Sequence, residues 1–190
     1  MATYTSQYPP AHSDTYVKAT TKSGVDYWTY FATDPALSLT GSSIDTSWMS
    51  DFGDNINQRF HIDLGSAKYI RRIYYENFHH NGTSTDRGVN NFTFWGSNTA
   101  ASFAELTYTT DTGWTQLTIA QSTFDEHVAV DQADPKYIVV TNTTAYRYYA
   151  FKCADGHTSA GYMGFRHVVL QTEDDWPPVV TNALFFGTNF

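Results

Sequence analysis

The sequence predicts an all-β protein, an antiparallel eight-stranded jelly-roll β-sandwich. Three observations lead there. Apolar residues recur with a period of two rather than the helical 3.6. No segment makes a convincing amphipathic helix. Aromatics make up 17% of the chain, with 14 Tyr and 13 Phe, a bias that suits pleated sheets and wet recognition surfaces.

The strands follow in order. In Gln58–Gly65 the apolar Phe60, Ile62 and Leu64 alternate with Arg59, His61 and Asp63, so one face should pack and the other stay polar. A Gly65-Ser66 turn leads into Lys68–Asn77, and Asn90–Ser97 alternates Phe92 and Phe94 with Thr93 and Trp95. Runs starting at Trp114, Lys136, Tyr146 and Phe165 complete the set, each short, rich in Val, Ile, Tyr and Phe, and bounded by Gly, Asn, Asp or Ser. Residues 13–172 are expected to form the domain, 1–12 an N-terminal extension, and 173–190 a tail. In that tail Pro177-Pro178 precede the apolar Val179, Val180, Leu184, Phe185 and Phe186. It reads either as an extra segment lying on the domain or as a connection for self-association or a larger particle.

At 190 residues, 41% hydrophobic and 16% charged, the chain suits one globular domain with a sizeable core. A net charge of -8 repels phosphate backbones and anionic leaflets, which argues against nucleic-acid and membrane partners. Cys153 is the single cysteine; it excludes an intrachain disulfide and reads as a small buried hydrophobe. The N-terminus lacks the basic and apolar regions of a signal peptide, so an extracellular or virion-surface location would be reached by another route. The sequons at Asn81, Asn91 and Asn142 read as chance.

One stretch breaks the pattern. Glu76–Phe92 collects His79, His80, Asn81, Asp86 and Arg87 in a chain otherwise poor in charge. Acid–base catalysis needs two tuned groups in reach, and these show no known spacing. No nucleophile elbow, zincin motif or phosphate loop occurs, so the chain is not expected to be an enzyme. Structural-zinc spacing is absent too, and no metal residues are assigned. Docking of a polar ligand remains, since planar amide, carboxylate and guanidinium groups pair with adjacent hydroxyls.

The order of segments resembles the discoidin domains, also called coagulation-factor C-type domains, and the related galactose-binding-like carbohydrate-binding modules. The likeness covers roughly residues 15–172 and rests on His61–Ile70, Gly88–Asn98 and the T-x-W at Thr46–Trp48. It implies a jelly roll with ligand loops at one end. After T-x-W, sugar-binding members often place a histidine and a stacking aromatic; here Met49 and Phe52 stand there. A loop arginine often holds sugar hydroxyls; here His79-His80 take that place and Arg87 follows. Tyr162 matches an aromatic of the last loop. Relatives often hold a structural calcium. Gly41-Ser42-Ser43 and His167 stand where acidic ligands would be expected, leaving Asp45, the Thr46 hydroxyl and backbone carbonyls as candidates. The Gly88–Asn98 stretch also resembles strands of phage and other viral structural proteins.

The combined expectation is a non-catalytic glycan-binding module, an adhesion or decoration domain of a particle or extracellular assembly. Its partner would be a glycan or cell-surface polysaccharide. Phe52, Trp28 and Tyr162 would stack on the ligand, and His79, His80, Asn81 and Arg87 would bind its hydroxyls, with His157 joining from the last loop. The loops 27–31, 77–91 and 155–162 would share one rim. The alternative is a structural interaction domain that cements subunits. A lipid-binding reading, with 27–31 as an apolar spike, conflicts with the acidic balance.

Overall fold

The structure, a computed structural model, describes residues 2–158 and 161–176. It contains β1 (Tyr4–Gln7), β2 (Val17–Ala19), β3 (Trp48–Met49), β4 (Ile56–Lys68), β5 (Ile70–Asn77), β6 (Phe92–Ser97), β7 (Thr115–Ile119), β8 (Lys136–Thr141), β9 (Tyr146–Asp155) and β10 (Gly164–Glu173). A five-residue helix, α1 (Ala100–Ala104), and short 3-10 turns at Thr29–Thr33 and Thr85–Arg87 complete it. All ten strands pair antiparallel in one curled sheet, ordered β1-β10-β5-β8-β7-β6-β9-β4-β2, with β3 added on β10. The β7–β8 bridge, Thr118 to Thr141 and Ile119 to Val140, joins the two halves that close over the core.

The seven runs read from the alternation became β4 to β10. The three strands with no counterpart in that reading are short: β1, β2 and β3 have four, three and two residues. Two to four residues are too few to display a period, and only pairing partners define them. β1 corrects the reading of 1–12 as an extension, because Tyr4 to Gln7 pair with Glu173 to Leu170. Residues 177–190, and with them the docking-tail expectation, lie outside the described residues.

Three neighbouring strands put Phe60, Phe151 and Phe94 in register. With Trp48, Phe124 and Phe165 they form the aromatic centre of the core, each fully buried. The expected polar face of β4 is not exposed: Arg59, His61 and Asp63 are buried as well. The segment 100–114 lies over that face. Arg59 donates from Nε to the Thr107 carbonyl at 3.0 Å and from Nη2 to the Thr110 carbonyl at 2.5 Å, and it pairs with Asp111. His61 Nδ1 lies 3.0 Å from the Phe103 carbonyl. Phe103, Trp114, Tyr148 and Ala150 make a second, smaller core there. The alternation located the strand, but a buried arginine needs acceptors to offset its desolvation, and those come from a loop roughly fifty residues downstream.

Candidate functional site

One end of the sheet gathers the ends of β3, β5 and β9 and the starts of β4, β6 and β10. Ile56 is in register with Asp155, Gly164 with Met49, and Asn77 with Phe165. Bridges from Gly88 to Gly164 and from Val89 to Gly156 tie the loops together. Antiparallel pairing thus brings the connections 50–55 and 78–91, with residues 156–158 and 161–163, to one rim.

On that rim Phe52 is 73% exposed, the most exposed large aromatic among the described residues. Its ring packs at 5.3 Å from that of Tyr162, tilted by 57°. The Arg87 guanidinium sits 5.1 Å from the Tyr162 ring centre, within cation–π range. Arg87 makes no ion pair among the described residues, so its planar donors remain available to a ligand. His157 is half-buried behind them. Its amide donates to the Gly88 carbonyl at 3.1 Å, and its Nε2 lies 3.3 Å from Asn77 Nδ2.

The backbone fixes this cluster. Gly53 donates its amide to the Gly161 carbonyl at 2.7 Å. Gly161 has φ +85°, and a Cβ there would come within 2.9 Å of the Phe52 ring. Only glycine combines that dihedral with room for the ring. The residue type was readable in the sequence, but nothing in the sequence tied its position to Phe52.

Four expected site residues lie elsewhere. His79 is fully buried: its Nε2 lies 2.8 Å from the Leu39 carbonyl, its Nδ1 accepts from the Gly82 amide at 3.1 Å, and its ring stacks at 4.0 Å on His127. Burial holds its pKa below the usual imidazole value. With both nitrogens engaged and no exposed edge, it is structural. His80 Nδ1 accepts from the Ser43 amide at 3.2 Å, and Asn81 donates its amide to the Gly41 carbonyl at 3.0 Å. The loop 77–91 therefore divides. His79–Thr83 turns towards 39–43 and 130–131, and only Arg87 onward reaches the rim. Trp28 is the fourth: it stacks on Tyr30 at 5.7 Å, carries the Lys22 ammonium 3.7 Å above its face, and lines a groove beside β2. The segment 27–31 leads into the 3-10 turn Thr29–Thr33, which packs on the sheet with Thr29 and Thr33 buried.

Sequence reading missed Arg166. Its side chain is 1% exposed and has no carboxylate partner among the described residues. It donates to the carbonyls of Thr40 at 2.6 Å, Ser42 at 3.0 Å and Ser38 at 3.1 Å, with Gly41 and His79 at 3.4 and 3.5 Å. Desolvation lowers its pKa to about 10, which leaves it charged at neutral pH. These carbonyls are oxygens that a calcium ion would need. No cluster of three or more His, Cys, Asp or Glu suited to a metal occurs among the described residues. The Arg166 guanidinium already takes these carbonyls, so they do not fit a calcium ion. An arginine beside His167 in a strand of apolar residues was the available signal.

No family model and no curated protein matches the chain. Solved structures do. A family 32 carbohydrate-binding module from C. perfringens NanJ, solved in complex with galactose, superposes with a TM-score of 0.56 at 15% identity, covering 82% of this chain and 92% of that one. The family 32 module of AlyQ, in complex with 4,5-unsaturated mannuronic acid, gives 0.55 at 19% identity, covering 87% and 97%. Chitosan-binding module 1 of a chitosanase/glucanase from Paenibacillus sp. IK-5 gives 0.54 at 18%, covering 81% and 92%. At these identities the likeness is one of fold. With its curled antiparallel sheet and its loops gathered at one end, the chain has the galactose-binding-like, discoidin-type β-sandwich fold of the family 32 carbohydrate-binding modules.

Proposed function

We propose that the chain is a non-catalytic carbohydrate-binding module whose rim docks a glycan. The observation that carries this reading is Phe52, 73% exposed yet held against Tyr162 with Arg87 over the second ring. Leaving a phenylalanine in water forgoes about 2 kcal/mol of burial, and the glycine at 161 preserves its position. Such a platform suits the C–H face of a pyranose, and the unpaired guanidinium suits neighbouring hydroxyls or a uronate carboxylate. That the structural neighbours were solved with galactose and mannuronic acid is consistent with this.

A shallow rim site of this kind gives a Kd on the order of 1 mM, about −4 kcal/mol, so the module would act through repetition or through attachment to another unit. The test is calorimetric titration with galactose, chitotriose and a mannuronate oligomer, using wild type, Phe52→Ala and Arg87→Ala. Loss of a stacked ring, about 1 kcal/mol, should weaken binding about fivefold. Undiminished binding in both variants removes the rim assignment.

A further inference from the structure

A second recess lies away from the rim, on the outer face of the half-sheet β1-β10-β5-β8. Along β10, Phe165, Val168 and Leu170 belong to the core. His167, Val169 and Gln171 point the other way and line the recess with Tyr74 and Tyr137. The loop 34–39 covers part of this face with Pro35, Leu37 and Leu39, and Ser6 and Tyr8 close another side. A cleft of about 300 Å³ remains, at the lower end of small-molecule sites.

Its lining is selective. Tyr137 is 51% and Tyr8 38% exposed, so two aromatic faces are left to solvent. Tyr137 is braced: its ring packs 5.5 Å from Tyr74, and the Arg72 guanidinium lies 4.4 Å from its centre. The Tyr74 hydroxyl is committed, donating to Glu76 Oε1 at 2.7 Å. The Gln171 amide is fixed by accepting from Arg72 Nε at 2.6 Å and donating to Ser6 Oγ at 3.1 Å. His167 differs from these. It is 6% exposed, touches the Tyr74 ring edge-on, and has no hydrogen-bond partner within the described residues. Neither of its ring nitrogens is a sealed, unpartnered atom among the described residues, so its hydrogen-bonding edge is open to the cleft that it lines. Burial lowers its pKa to about 4, so at neutral pH the ring offers one donor and one acceptor.

We infer that this cleft is a second glycan subsite, independent of the rim, which takes one neutral pyranose between Tyr8 and Tyr137 with His167 and Gln171 on its hydroxyls. Neither a carboxylate nor a cation lines it; the bordering Arg72 is committed to Gln171 and to the Tyr137 and Tyr4 rings, and Asp34 faces His12, so a charged sugar would find no uncommitted counter-charge. A glycosidic bond would likewise meet no pair of carboxylates to hydrolyse it. The site binds without reacting.

The experiment is an amide chemical-shift titration with galactose, chitotriose and a mannuronate oligomer, each taken about tenfold above a millimolar Kd. The proteins are wild type, Tyr162→Ala, Tyr137→Ala and Tyr137→Phe. The expected result is a saturable shift set at residues 6–8, 137 and 167–171 with galactose, the neutral probe of the three. It should survive Tyr162→Ala and Tyr137→Phe and weaken about tenfold in Tyr137→Ala. Both tyrosines are surface side chains, so the spectra of the variants should keep their dispersion. No saturable shift in that set with any probe overturns the proposal. So does its disappearance in Tyr162→Ala, which would make it an echo of the rim, or a preference for the cationic chitotriose or the anionic mannuronate oligomer over galactose. Shifts in the cleft with none at residues 52, 87 and 162 would support this subsite and count against the rim.

Discussion

Arg166→Met tests whether a guanidinium organises the loop 38–43. Methionine retains an unbranched apolar stem and removes every donor. Two opposing effects set the result. Three carbonyls within 3.1 Å lose charge-assisted bonds, worth about 1.5–3 kcal/mol each. Against this, lowering the arginine pKa from 12.5 to about 10 shows that burial disfavours the charge by about 3 kcal/mol, a penalty that methionine escapes. The carbonyls prevail, and the net loss is about 3 kcal/mol, or roughly 6–12 °C in Tm for a domain of this size. Urea unfolding followed by tryptophan fluorescence reads it as a lower midpoint with an unchanged slope. With Arg166 holding these carbonyls, chelator should leave the wild-type midpoint unmoved. A loss below about 1 kcal/mol, or a midpoint that falls on chelation, refutes the reasoning.

Other outcomes can be checked independently. Burial lowers both His61 and His167 from 6.5 to about 4. The unfolded chain therefore binds protons first as pH falls, so stability is full above 6.5 and declines between 6.5 and about 4, by about 3 kcal/mol per histidine. The raised pKa of Glu76 opposes this trend, whereas His79 and the lowered Asp111 and Asp134 add to it; denaturation midpoints flat from pH 7 to 4 would contradict the balance. Gly161→Ala should weaken rim binding and cost about 1–2 kcal/mol, because alanine disfavours φ +85° and its methyl crowds Phe52; unchanged titrations and melts would disprove that coupling. Cys153 is fully buried, and burial pushes its thiol pKa up. A thiol reagent should therefore label it only through the unfolding transition, and labelling at the rate of a free thiol would count against the core assignment.

The sequence by itself determined the fold class and the positions of the seven longer strands, because a period of two survives wherever a strand is long enough to repeat it. It also placed Phe52, Arg87, His157 and Tyr162 in loops that antiparallel pairing brings to one end. The side-chain environment within those loops was not readable. His79 and Arg87 stand eight positions apart in one polar stretch, yet one is sealed between Leu39 and His127 and the other lies over Tyr162. Arg59 and His61 occupied the polar phase of β4 and were buried nonetheless, because residues 100–114 supplied their partners. Arg166 found its acceptors about 125 positions upstream. Local alternation fixes which way a side chain points. Whether that direction leads to water or to another segment is settled by contacts between distant parts of the chain, and only the tertiary structure contains them.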